Sequence, residues 1–136
     1  MLAPQAFVLR YRPLHEELIP ELLRPLSDEQ LRRRPHPHAT PIAWHLWHMA
    51  RAEDVGVNRL VTDGTQVLSD GHWDERMNLH VMLDEGVAGP AAGWLEGPYV
   101  GQRHGWYLFH CCLTHSFYHL GQAMLVRKLL GIDPPY

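Results

Sequence analysis

Proline and glycine punctuate this chain so that each stretch between them reads as helix or loop, and none alternates apolar and polar residues as a half-buried strand would. From about Gln5 to Arg24, the residues Phe7, Tyr11, Leu14, Leu18, Leu22 and Leu23 recur at three- and four-residue spacings, the stripe of an amphipathic helix. Pro13 and Pro20 lie inside that stripe without a backbone donor, which predicts kinks or a late start instead of one straight rod. Ser27-Asp28-Glu29-Gln30 has capping-box form and predicts a short helix to about Arg34.

Pro35, Pro37 and Pro41 make the sharpest break. Thr40-Pro41 reads as a cap followed by proline at the first helical position, opening a long helix from Ile42 to about Val61 that Asp63-Gly64 ends. A further helix from about His72 to Leu83 has only a thin stripe of Trp73, Met77, His80 and Val81. Between Glu85 and Gly105 lie six glycines and two prolines, with Trp94, Leu95, Tyr99 and Trp106 interleaved or just beyond. Aromatics in such a stretch point to a folded-back lid or a short helix packed on the rest. The last helix is expected from about Trp106 to Leu130, closed by Gly131 with Pro134-Pro135 beyond. The pattern predicts one all-α domain over 1–136, a four-helix bundle with main helices near 5–24, 41–62, 72–84 and 106–130 and an irregular third helix region.

At 136 residues the chain can bury a core without disulfides. A formal charge of -3 and a pI near 6.4 argue against a nucleic-acid partner, which needs a basic face. Arg32, Arg33 and Arg34 read as a solvated helix end. Cys111 and Cys112 are adjacent, and a vicinal pair seldom closes a disulfide, so a reducing, cytoplasmic setting is expected. No leader pattern and no membrane-length apolar run is visible.

Eleven histidines are the compositional oddity. His36, His38, His72 and His104 fall near proline or glycine in expected loops, whereas His45, His48, His115 and His119 fall inside the two best helical patterns. The spacing of His115 and His119 separates them on a helix by about 40° and one turn of rise, so both rings can reach one ion. On that helix Leu108, Cys111, Cys112, His115, His119, Gln122, Val126 and Leu129 share one side and Leu113, Phe117, Leu120 and Met124 the other. A helix apolar on both sides is expected to be central. Buried imidazoles there must be hydrogen-bonded, share a proton or coordinate metal. Periodicity leaves both His45 and His48 open as a third participant.

The pattern Trp44-x-Leu46-x-His48-x-Ala50-x-x-Glu53, followed by His115-x-x-x-His119-x-Gly121-Gln122, resembles the DinB/YfiT-like superfamily of metalloenzymes. The likeness extends from the Leu26 to Leu31 approach to the Leu130-Gly131 ending. It implies a four-helix bundle holding a divalent metal on His48, His115 and His119, with His45 beside the ligands or in the wall and Gly121 at a close helix approach. The glycine-rich middle departs from the family's well-formed third helix.

Three neutral imidazoles leave a coordination position open, the mark of a catalytic site. A divalent ion there acidifies the water or thiol it meets, which gives hydrolytic or thiol-transfer chemistry on a small electrophilic substrate. The resemblance favours the thiol, since relatives use low-molecular-weight thiols such as bacillithiol or mycothiol. Candidate helpers are Glu53, as a base or in a structural pairing with Arg51 or another helix, and Gln122, orienting a ligand or filling the core. Cys111 is a candidate fourth ligand or a small buried hydrophobe. Trp44 and Tyr118 are candidates to line a pocket. The alternatives are a non-catalytic, metal-stabilised bundle used for stress-linked binding or dimer assembly, and a metal-free core in which the histidines bond to one another. Imidazoles suit zinc, nickel, iron and copper alike. A homodimer is expected on the ground that a weak third helix leaves apolar surface to cover.

Overall fold

The computed structural model describes residues 4–77 and 104–133, and these are all-α, with no strand among them. They fall into two compact units, Met1–Trp47 with Leu113–Tyr136, and His48–Cys112.

In the first unit, α1 runs Pro4–Pro13, a π-helical turn follows at Leu14–Leu18, and α2 completes the stretch at Ile19–Leu23. The wide turn begins immediately after Pro13, and the Ile19 amide reaches back to the Leu14 carbonyl. The proline disturbance predicted from sequence thus takes the form of a widened turn, a recognised way for a helix to absorb an irregularity. Arg24 leaves in extended geometry. Helix α3, Asp28–Arg32, carries the expected capping box: Gln30 N donates to Ser27 Oγ at 3.2 Å and Ser27 N to Gln30 Oε1 at 2.9 Å. Two otherwise orphaned amides are satisfied in this way.

The opening of α4, Ile42–Asp54, differs from expectation. Pro41 supplies the first accepting carbonyl, to Trp44 N and His45 N, while the Thr40 hydroxyl bonds the His45 ring. Thr40 is therefore committed to a side chain. The other wall of this unit is α8, His115–Leu129, which packs on α2. Its core is Leu14, Leu22, Ile42, Leu113, Leu120, Ala123 and Val126, all buried. Arg127, only 2% exposed, donates to the Leu22 carbonyl and the Asp133 carbonyl, each at 2.6 Å. Gly131 takes φ +71 past the helix end, and the Ile132 amide returns to Arg127, the left-handed closure expected of that glycine. Leu120 on one expected side of α8 and His119 and Val126 on the other are buried, so each side is covered in part, while Phe117, Leu125 and Leu129 are exposed.

In the second unit the remainder of α4 continues into a π-helical turn at Val55–Val61, against which α7, His104–Phe109, packs. A further π-helical turn, His110–Thr114, leads toward α8. The last helix is thus already formed at His104, two residues before the expected Trp106, and changes winding on the way. The helical stretch ends before Asp63-Gly64 as expected, and Asp63 takes a left-handed conformation there, at φ 51. Short helix α5, Val67–Asp70, precedes the expected third helix, and α6, Trp73–Arg76, occupies its start. The rest of that helix, to 84, lies outside the described residues, as does the 85–105 segment apart from His104 and Gly105.

Asp54 organises this unit. Its carboxylate accepts from Val67 N, Leu68 N, Asn58 Nδ2 and Arg51 NH1, at 2.6 to 3.0 Å. It thereby caps α5 from a distant position in sequence. Arg51 also donates to Gln66 Oε1 at 2.6 Å. The partner of Arg51 is Asp54 and not Glu53, because a residue three positions on returns to the same helix face.

The close helix approach is at Gly56. A Cβ there would meet the Cys111 Cβ at 2.6 Å and its sulfur closer still. Gly121, the position implied by the family resemblance, is exposed, and apart from its chain neighbours and its own helix backbone no described atom lies within 4 Å of a built Cβ. Gly56→Ala is expected to cost about 1–3 kcal/mol through overpacking, read as a lower urea midpoint. Gly121→Ala should leave that midpoint unchanged or raised.

Candidate metal site

His119 lies on α8, 8% exposed, with His115 one turn before it and half-buried. The two rings meet edge to face at 4.5 Å. His48, on α4, is also half-buried. The three residues each offer a ligand nitrogen, and these atoms all lie within 4.8 Å of one another. Zinc–nitrogen bonds of about 2.0–2.1 Å put two donors of a tetrahedral site roughly 3.4 Å apart, so ring rotations of about 1 Å close the group on an ion. The donors fit a divalent metal.

Protonation favours the same use. Burial pushes the His119 pKa below the ordinary histidine value, opposed by an interaction with Gln122, so the neutral ring is favoured overall. Only a neutral imidazole can ligate.

Aromatic rings hold His119 in place. Trp44 stands edge-on to it at 5.8 Å and Tyr118 at 5.1 Å. Tyr118 is 63% exposed, so it forms an outer wall. Gln122 Nε2 donates to Tyr118 Oη at 3.1 Å. The residue singled out as a helper therefore braces the tyrosine that borders His119. His45 is buried at 3% and bonds His119, Nδ1 to Nδ1, at 3.2 Å.

Glu53 and Cys111 do not join the histidine group among the described residues. Cys111 is fully buried against Gly56, and its thiol is pushed up to about 12 by burial first, then by Cys112 and the charge of Glu53. Cys112 is pushed up to about 12 by burial and by Glu53. A thiol held protonated is a poor ligand, so the small-hydrophobe reading of Cys111 prevails. Glu53 lies near this sulfur pair. We expect both thiols to resist iodoacetamide at pH 8 in the native protein and to label fully in denaturant, as measured by mass spectrometry.

The residue that sequence reasoning missed is Thr40. Its hydroxyl lies 2.8 Å from His45 Nε2. The five-residue separation from His45 hides this contact, because a Thr before a proline reads first as a cap.

The family model of the DinB superfamily matches residues 14–123, which takes in all three histidines. The chain belongs to the DinB superfamily. Comparison with curated proteins and with solved structures finds no match. The all-α architecture is the class expected of a DinB-type bundle. No helix among the described residues is long and apolar enough to cross a membrane.

Proposed function

We propose that this DinB superfamily chain is a divalent-metal-dependent enzyme, of transferase or hydrolase type, in which His48, His115 and His119 hold the ion. The observation that carries the reading is the grouping of three imidazole nitrogens within 4.8 Å, joined by no carboxylate or thiol among the described residues. Three protein donors leave a four-coordinate ion one place for an exogenous molecule. Once bound, such an ion supplies Lewis acidity that favours the deprotonated form of a water or thiol.

The chain's own residues support that role. His119 is kept neutral by burial, and Trp44 and Tyr118 border it with apolar edges suited to a small electrophilic substrate. Gln122 fixes Tyr118. A low-molecular-weight thiol is the co-substrate that the family resemblance suggests. The reading of a metal-free core bonded histidine to histidine finds its counterpart in the His45–His119 contact, but that contact uses Nδ1 and leaves Nε2 of His119 facing elsewhere.

The test begins with protein dialysed free of metal and titrated with zinc, nickel or ferrous iron. One ion bound per chain is expected, followed by thiol consumption with an electrophile such as chlorodinitrobenzene, or hydrolysis of an activated ester. Failure to bind any of these ions stoichiometrically would sink the proposal. Stoichiometric binding without turnover would favour a metal-stabilised, non-catalytic bundle.

A further inference from the structure

We infer that Thr40 and His45 form a hydrogen-bonded support that fixes His119 as an Nε2 ligand, so that His45 is a positioning residue for the proposed metal. The inference rests on the metal reading above. It starts from the engagement of both His45 ring nitrogens: Nδ1 lies 3.2 Å from His119 Nδ1, and Nε2 lies 2.8 Å from Thr40 Oγ1. The ring is 3% exposed and is held edge-on by Trp44 at 5.3 Å.

A neutral imidazole carries one N–H, and two facing nitrogens need one proton between them. Two arrangements satisfy the chain. In the first, the Thr40 hydroxyl donates to His45 Nε2, His45 Nδ1–H donates to His119 Nδ1, and His119 keeps its proton on Nε2. In the second the order is reversed: His119 Nδ1–H donates to His45 Nδ1, His45 Nε2–H donates to Thr40 Oγ1, and His119 Nε2 presents a lone pair.

Only the second arrangement can ligate through Nε2. Each ring still carries one proton, so the two arrangements differ by tautomer and not by charge. Threonine suits the far end because its hydroxyl can either donate or accept. A ligating histidine that donates its other N–H to an acceptor has its tautomer and orientation set by that acceptor. Here a second histidine takes the place usually held by a carboxylate or a backbone carbonyl.

The experiment uses the full chain with zinc as the probe. Zinc affinity is measured against a competing chelator for the wild type, His45→Phe and His45→Gln, with melting of the metal-free forms as a check on folding. His45→Phe is expected to weaken zinc by roughly 10–100-fold, the usual cost of losing such a partner. His45→Gln should recover much of the loss, because its amide oxygen can accept from His119 Nδ1. In the zinc-loaded wild type, ¹⁵N NMR should find the His119 proton on Nδ1 and the His45 proton on Nε2. Wild-type protein that binds no zinc would remove the metal reading and this inference together. Zinc binding that is equally tight in His45→Phe would overturn this inference alone, as would a loaded wild type with His119 protonated on Nε2. If His45→Phe does not fold, the glutamine variant and the wild-type spectrum still decide.

Discussion

His119→Ala is expected to abolish stoichiometric metal binding, with a loss of affinity larger than the roughly 10–100-fold that follows removal of an outer partner. The residue has more at stake than either companion. It is the most buried of the three histidines and is bounded by Trp44, His45, His115 and Tyr118. Alanine removes the donor and also the group that meets His45 Nδ1, so the metal-free variant should lose about 1–3 kcal/mol as well. Wild type at a zinc concentration one hundred times its Kd should gain about 2.7 kcal/mol over its metal-free form, while the variant gains nothing. Elemental analysis after dialysis and a melt with and without zinc check both parts. A variant that retained one ion per chain would place the metal elsewhere.

The second large effect is on folding. Asp54→Ala should destabilise the protein by about 3–5 kcal/mol, because it strands the Arg51 charge in a buried position. The side chains of Arg51 and Asp54 are only 11% and 9% exposed. Burial already pulls the Arg51 pKa down, and the Asp54 charge and hydrogen bond are what oppose it. The same substitution orphans Val67 N and Leu68 N at the start of α5. Urea unfolding followed by circular dichroism gives the loss. Adding Arg51→Met to the variant should return part of the stability, since the stranded charge goes while the two amides remain unsatisfied. A single-variant cost below about 1 kcal/mol would show that water reaches the carboxylate site.

These two sites differ in how far they could be read from sequence. His115 and His119 announced themselves because helical geometry converts a four-residue spacing into proximity, and the His48 motif added the third donor. Asp54 gave no such signal: its partners at 67 and 68 depend on how the chain returns after Asp63-Gly64. Local chemistry was legible where it involves neighbours alone, as in the Ser27–Gln30 box and the Gly131 closure. It misled where a distant group competed. Thr40 had every mark of a cap, yet His45 claims its hydroxyl; Gly121 sat in a motif, yet Gly56 is where a helix comes close. Cys111 shared a wheel face with His115, but the wheel assumes uniform winding and the His110–Thr114 turn is π-helical.

The turn at Leu14–Leu18 has its own consequence for how much the chain length can vary here. Leu14 and Leu22 are both fully buried, although eight residues at about 100° each would leave them roughly 80° out of phase on a regular helix. A π-helical turn takes up one extra residue, so the eight steps count as seven and the two leucines return to within about 20° of one line. The turn is thus equivalent to a one-residue insertion folded away inside the helix. A homologue one residue shorter between these leucines would need no such turn, because seven regular steps give the same alignment.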